Sequence, residues 1–181
     1  MFGFIVKRTI DSLEKQYNYD ASYLRAMYDA SPAAFRKFGV VGKLASHCEV
    51  ASIEARYAAQ LVGTLIEDCV PCTQIVVNMA RKARVSDAQI EAVLTSDVGT
   101  MSADTALGFR FATAIASRSM DADEAREVVR ARWGEKGVID LTFALQGSRL
   151  FPMVKAGLGF ATACQRVQLG ARPIDVVRHP G

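Results

Sequence analysis

Glu67-Asp68-Cys69-Val70-Pro71-Cys72-Thr73-Gln74 separates two apolar segments of helical period, and its reading decides the rest of the chain. Two thiols three positions apart close a disulfide with little backbone motion. The thiol nearer a helix N-terminus has its thiolate stabilised by the free N–H groups and the dipole there. Pro71 fixes one backbone angle and donates no hydrogen bond, so it fits the first turn of a helix beginning near Cys69. Cys69 is then the more exposed, attacking thiol, and Cys72 the resolving partner one turn inside.

On the N-terminal side, residues 49–66 read as a helix with Val50, Ile53, Tyr57, Leu61 and Leu65 as its buried stripe. On the C-terminal side, Ile75, Val76, Met79, Ala80 and Ala83 describe a helix closed by Arg81, Lys82 and Arg84, as the C-terminal dipole favours. Ser86-Asp87-Ala88-Gln89 then caps a helix over residues 87–94.

Further out the helical signal continues. Phe2, Ile5, Val6, Ile10, Leu13 and Tyr17 form one apolar face, and the mixed charges opposite them point to packing on protein, not on a membrane surface. Asp20 or Ser22 caps a short helix through Met27, and Ser31-Pro32 opens one over residues 33–45 with Gly39 and Gly42 weakening its middle. A helix over residues 103–117 turns Leu107, Phe111, Ala114 and Ile115 inward. A capped start at Asp121 leads to a stop at Trp133-Gly134. Residues 136–150 are again helical, and Pro152 starts or kinks a last helix reaching about Val167, whose Gly157, Gly159, Ala161 and Ala163 permit close helix approach. Residues 170–181, with Pro173 and Pro180, read as a tail.

No segment alternates with period two. The expectation is therefore one all-α domain over residues 1–181, a multi-helix bundle with an N-terminal helical arm over residues 1–30. With 50% hydrophobic residues and mean hydropathy +0.12, yet no apolar run of bilayer length, surplus apolar surface is expected to meet other subunits, as a dimer, trimer or hexamer. The first seven residues carry no basic region before the apolar patch, which predicts a cytoplasmic protein. Net charge is only +3, with 22 basic residues scattered among 19 acidic ones, so nucleic acid is not indicated.

Of the four cysteines, Cys48 and Cys164 read as small core hydrophobes, leaving Cys69 and Cys72 as the working pair. Zinc would need two further ligands, and the adjacent His47 and Cys48 make an awkward chelate, so neither metal nor organic cofactor is expected. Asp68 reads as a cap, and His47 as a helix-end residue. Gln74 and Asn78 are weak candidates for a substrate oxygen, and Thr73 for a hydrogen bond to a thiolate. Trp133, Phe143, Phe151 and Phe160 read as packing residues.

A long helix leading into an acidic turn, a Cys-x-x-Cys opening a second helix, and a capped third helix together resemble the carboxymuconolactone decarboxylase and alkylhydroperoxidase-D superfamily. The resemblance spans residues 49–94. It implies an all-α fold of that type, assembly as trimers or hexamers, and reduction of hydroperoxides by the cysteine pair, with attack and resolution divided between Cys69 and Cys72. The pattern is incomplete: the peroxidase branch has a histidine where this chain has Val76 and a glutamate where it has Tyr57. Glu67, Glu54 and His47 are the available substitutes. Glu67 is the preferred base because a carboxylate in the turn reaches the neighbouring thiol without long-range folding.

The expected function is a thiol-dependent oxidoreductase acting on a small hydroperoxide or a disulfide, with an external dithiol as reductant and Cys69, Cys72 and Glu67 as catalytic residues. The rival expectations are a lactone-type decarboxylase or isomerase on the same scaffold, and a non-catalytic helical oligomer with a redox-sensitive cysteine clasp.

Overall fold

Serine begins four of the helices. Ser31, Ser52, Ser86 and Ser102 each stand at an N-cap with extended backbone, and each hydroxyl accepts the amide three residues on, from Ala34, Ala55, Gln89 and Thr105 at 3.2–3.3 Å. In this computed structural model, which describes residues 2–160 and 167–177, the chain runs as α1 (Phe2–Tyr17), α2 (Ser22–Ala30), α3 (Pro32–Ser46), α4 (Ile53–Ile66), α5 (Val70–Lys82), α6 (Asp87–Leu94), α7 (Ala103–Ala116) and α8 (Ala122–Gly157). A hairpin of β1 (Val167–Leu169) and β2 (Arg172–Ile174) follows, with Gln168 opposite Pro173. Cys164 and His179 lie outside the described residues.

α4 is the axis. Every residue from Tyr57 to Leu65 is buried, so the helix has no solvent face over that span and packs against α5, α7 and α8. Such close crossings need small residues. A methyl on Gly108 of α7 would strike the Ala55 carbonyl of α4, and one on Gly63 would meet the Leu145 carbonyl of α8 at 2.7 Å. The core these helices enclose includes Leu61, Val62, Val77, Ile90, Leu94, Phe111, Leu141 and Leu145. A second cluster (Ile10, Tyr19, Ala21, Tyr23) joins α1 and α2 to α3, with Phe38 set edge-on to Tyr23 at 6.4 Å.

Several expectations are corrected. α4 starts at Ile53, not residue 49, because the preceding segment is held in a non-helical course by Asp140 of α8. That buried carboxylate accepts the amides of Glu49, Val50 and Ala51 at 2.9–3.0 Å. Val50 and Ile53 are exposed in consequence. Cys48 is exposed too, with its thiol on the Ala51 carbonyl at 3.2 Å, so it is no core residue. α8 ends at Gly157, and Val167, expected to be helical, begins the hairpin. The hairpin occupies much of the expected tail. Val167, Leu169 and Ile174 are buried against the main core, and Pro173 is tolerated because a two-stranded hairpin has edges where no amide is needed. Close approach falls to Gly63, Gly108 and Gly147, whereas Gly157 and Gly159 face open space.

The expected stop at Trp133-Gly134 is present as a sharp break inside α8, where Gly134 has φ 70° and ψ −169°. No helix among the described residues is long and apolar enough to cross a membrane.

Candidate functional site

Cys69 occupies the N-cap position of α5 and Pro71 its first turn, and the two cysteines are joined as a disulfide with Cα atoms 5.2 Å apart. The connection from α4 dictates this placement. Glu67 closes α4, and Asp68 takes a left-handed conformation with φ 47°, turning the chain so that α5 leaves at a new angle. Asp68 therefore serves the turn, a conformation that aspartate tolerates better than most residues. Cys69 makes no side-chain cap to the helix.

The two sulfurs face different surroundings. Cys69 is half-buried and borders a crevice of about 10 Å³ formed with Leu65, Thr73, Val167 and Val176. Cys72 is 1% exposed and lines an apolar cavity of about 300 Å³. Leu13, Tyr19 and Tyr23 come to this cavity from the N-terminal arm, Tyr57 and Gln60 from α4, and Phe151 from α8. Val76 and Tyr57, which stand where the resembled family has its relay residues, both line it.

Polar groups on the wall are mostly committed. Gln60 donates to the Ala45 carbonyl at 2.7 Å, Thr64 to the Leu61 carbonyl at 3.0 Å, and Ser148 to the Leu145 carbonyl at 2.8 Å. Burial pushes the phenols of Tyr19, Tyr23 and Tyr57 up, so all three are protonated at neutral pH and none is a base; Tyr19 and Tyr23 hydrogen-bond each other, and Tyr57 accepts from Arg56. Among the described residues lining the cavity there is no carboxylate and no imidazole; the charged group there is Arg56.

Glu67 stands in the turn as expected, but its Oε1 accepts from Arg149 Nε at 2.7 Å, an ion pair that ties the turn to α8. A guanidinium thus occupies the oxygen expected to take the thiol's proton. His47 lies 3.6 Å from Asp140, belongs to the clamp before α4, and does not line the cavity. Nor does Glu54. Gln74 and Asn78 are structural: Gln74 donates to the Gln168 carbonyl at 2.9 Å and accepts the Gln168 amide at 2.5 Å, while Asn78 donates to the Tyr17 carbonyl at 2.8 Å. Thr73 donates to the Cys69 carbonyl at 3.1 Å, inside its own helix. No group of three or more acidic, histidine or cysteine side chains suited to a metal occurs among the described residues.

Comparison with known protein families, with curated proteins and with solved structures finds no match. The site is therefore read from its own geometry.

Sequence reasoning missed Arg56 and Gln60. The available signal was their spacing: two long polar side chains four positions apart on a mostly apolar helix point to one shared face. Tyr19 and Tyr23 were not readable as site residues, because only the folded arm brings them beside α5.

Proposed function

We propose that the protein is a thiol-dependent oxidoreductase that reduces a small apolar hydroperoxide or disulfide, with an external dithiol as reductant. The observation that carries this reading is the asymmetry of the cysteine pair: Cys72 is buried against a cavity of ligand size, while Cys69 is half-buried beside a small crevice on the other side. A wall without carboxylate or imidazole favours thiol chemistry over lactone decarboxylation, which needs a general acid and base. The same asymmetry exchanges the roles read from sequence. A hydroperoxide in the cavity meets Cys72. Its thiolate attacks the terminal oxygen, the O–O bond breaks, and the alcohol leaves after taking a proton. The Cys69 thiol then attacks the Cys72 sulfenic acid, releasing water and forming the disulfide seen here. An incoming dithiol attacks the more accessible Cys69 sulfur, releases the Cys72 thiolate, and closes its own disulfide. Relationship to the carboxymuconolactone decarboxylase and alkylhydroperoxidase-D superfamily is part of this proposal.

The test is turnover of cumene hydroperoxide with dithiothreitol. Wild type should consume both, and either Cys69→Ser or Cys72→Ser should abolish turnover. A sulfenic-acid trap should label Cys69→Ser at Cys72 and leave Cys72→Ser unlabelled. Labelling at Cys69 instead would restore the roles read from sequence. Turnover indifferent to both cysteines would reject thiol chemistry, and reversible oxidation without turnover would leave only a clasp.

A further inference from the structure

We propose that the cavity beside Cys72 is a binding site for a small apolar monocarboxylate, with Arg56 holding the acid group. Four observations converge. At about 300 Å³ the chamber has room for roughly ten non-hydrogen atoms, at about 30 Å³ for each water-sized unit of liquid. Leu13, Ile75, Val76, Met79 and Phe151 give most of its wall no hydrogen-bonding capacity, which selects an apolar body. The Thr64 and Ser148 hydroxyls and the Gln60 amide already donate to backbone carbonyls, and Tyr19 and Tyr23 hydrogen-bond each other. Arg56 is different: it is half-buried, its Nε is shielded from solvent and meets no acceptor among the described residues, and no carboxylate there pairs with it.

What Arg56 does touch leaves its charge in place. One terminal nitrogen donates to the Ser46 carbonyl at 3.3 Å, and the guanidinium hydrogen-bonds the neutral Tyr57 phenol and lies 4.7 Å from that ring's centroid. A neutral carbonyl and an aromatic face orient a guanidinium without neutralising it. Arg56 therefore brings an un-neutralised guanidinium to the wall of the apolar chamber, a charge and a donor set that suit a carboxylate. This inference is independent of the redox proposal, because recognition of the acid requires neither sulfur.

Octanoate, with about ten non-hydrogen atoms, is the probe, against octan-1-ol and octylamine as carriers of the same tail, in isothermal titration of the full chain. Octanoate should bind about tenfold or more tightly than octanol, and octylamine more weakly than either. Arg56→Gln should bring octanoate to within about twofold of octanol while octanol binding persists, which also reports an intact fold; Arg56→Lys should keep part of the preference. Val76→Phe, filling the chamber, should remove binding of both. These titrations involve no thiol turnover and need no hydroperoxide, so a failed peroxidase assay leaves this result standing. Equal affinity for octanoate and octanol, a preference that survives Arg56→Gln, binding that survives Val76→Phe, or no binding of either ligand would each overturn the proposal.

Discussion

Asp140 shows how much one side chain can organise. Burial pushes its carboxyl up, but the amides of Val50, Ala51 and Glu49, with His47 nearby, hold it below the ordinary value. The sign of its pH dependence follows. An unfolded aspartate takes its proton near pH 3.9, above the folded value, so Asp140 stabilises the fold fully above that pH and loses the contribution as pH falls through the folded value. Asp140→Ala should cost about 2 kcal/mol at pH 7, by stranding amides at the approach to α4, and should flatten the acid limb of stability; urea melts from pH 7 to pH 3 check both. None of this was visible in the sequence. Asp140 sits ninety positions from its partners, on a helix whose period it does not disturb, and local pattern carries no information about which loop a carboxylate will meet.

Element boundaries were far more legible, for a local reason. Ser31 and Ser86 cap helices by bonding three residues ahead, and such signals lie wholly within a few positions. Boundaries failed where a distant group intervened, as at the start of α4, or where the hydrophobic period ran on past the end of a helix, as at Gly157 of α8. Gly134 is the clearest success. Its φ of 70° with ψ of −169° belongs to a region that residues with a Cβ scarcely enter. Gly134→Ala should destabilise by about 1–3 kcal/mol although no atom stands within 4 Å of the added methyl. Gly157→Ala, at a helical position with equal space, should be neutral or stabilising by about 0.5–1 kcal/mol. A thermal melt of the pair separates backbone strain from packing.

At the scale of the molecule, the disulfide is enclosed from two directions by parts of the chain remote from it. The hairpin covers the Cys69 side, Val167 bordering the crevice and Gln74 fastening Gln168 to α5. Gln74→Ala should loosen that cover at a cost of about 1 kcal/mol, raising the rate of disulfide reduction by tris(2-carboxyethyl)phosphine roughly fivefold as followed by thiol release. An unchanged rate would mean that the sulfurs are reached without movement of the hairpin. The cysteine pair itself was legible, because three residues fix its spacing. Its two unlike environments were not, since the cavity wall and the hairpin arrive from opposite ends of the sequence.

The cavity's wall has a consequence for biogenesis. Leu13 and Tyr19 leave the ribosome early, but Phe151 completes the enclosure only after most of the chain has been made. During that interval Cys69 and Cys72 are three positions apart, able to oxidise, and without the chamber that encloses Cys72. Until the last long helix docks, a nascent chain therefore holds this cysteine pair without the wall that buries Cys72 in the finished protein.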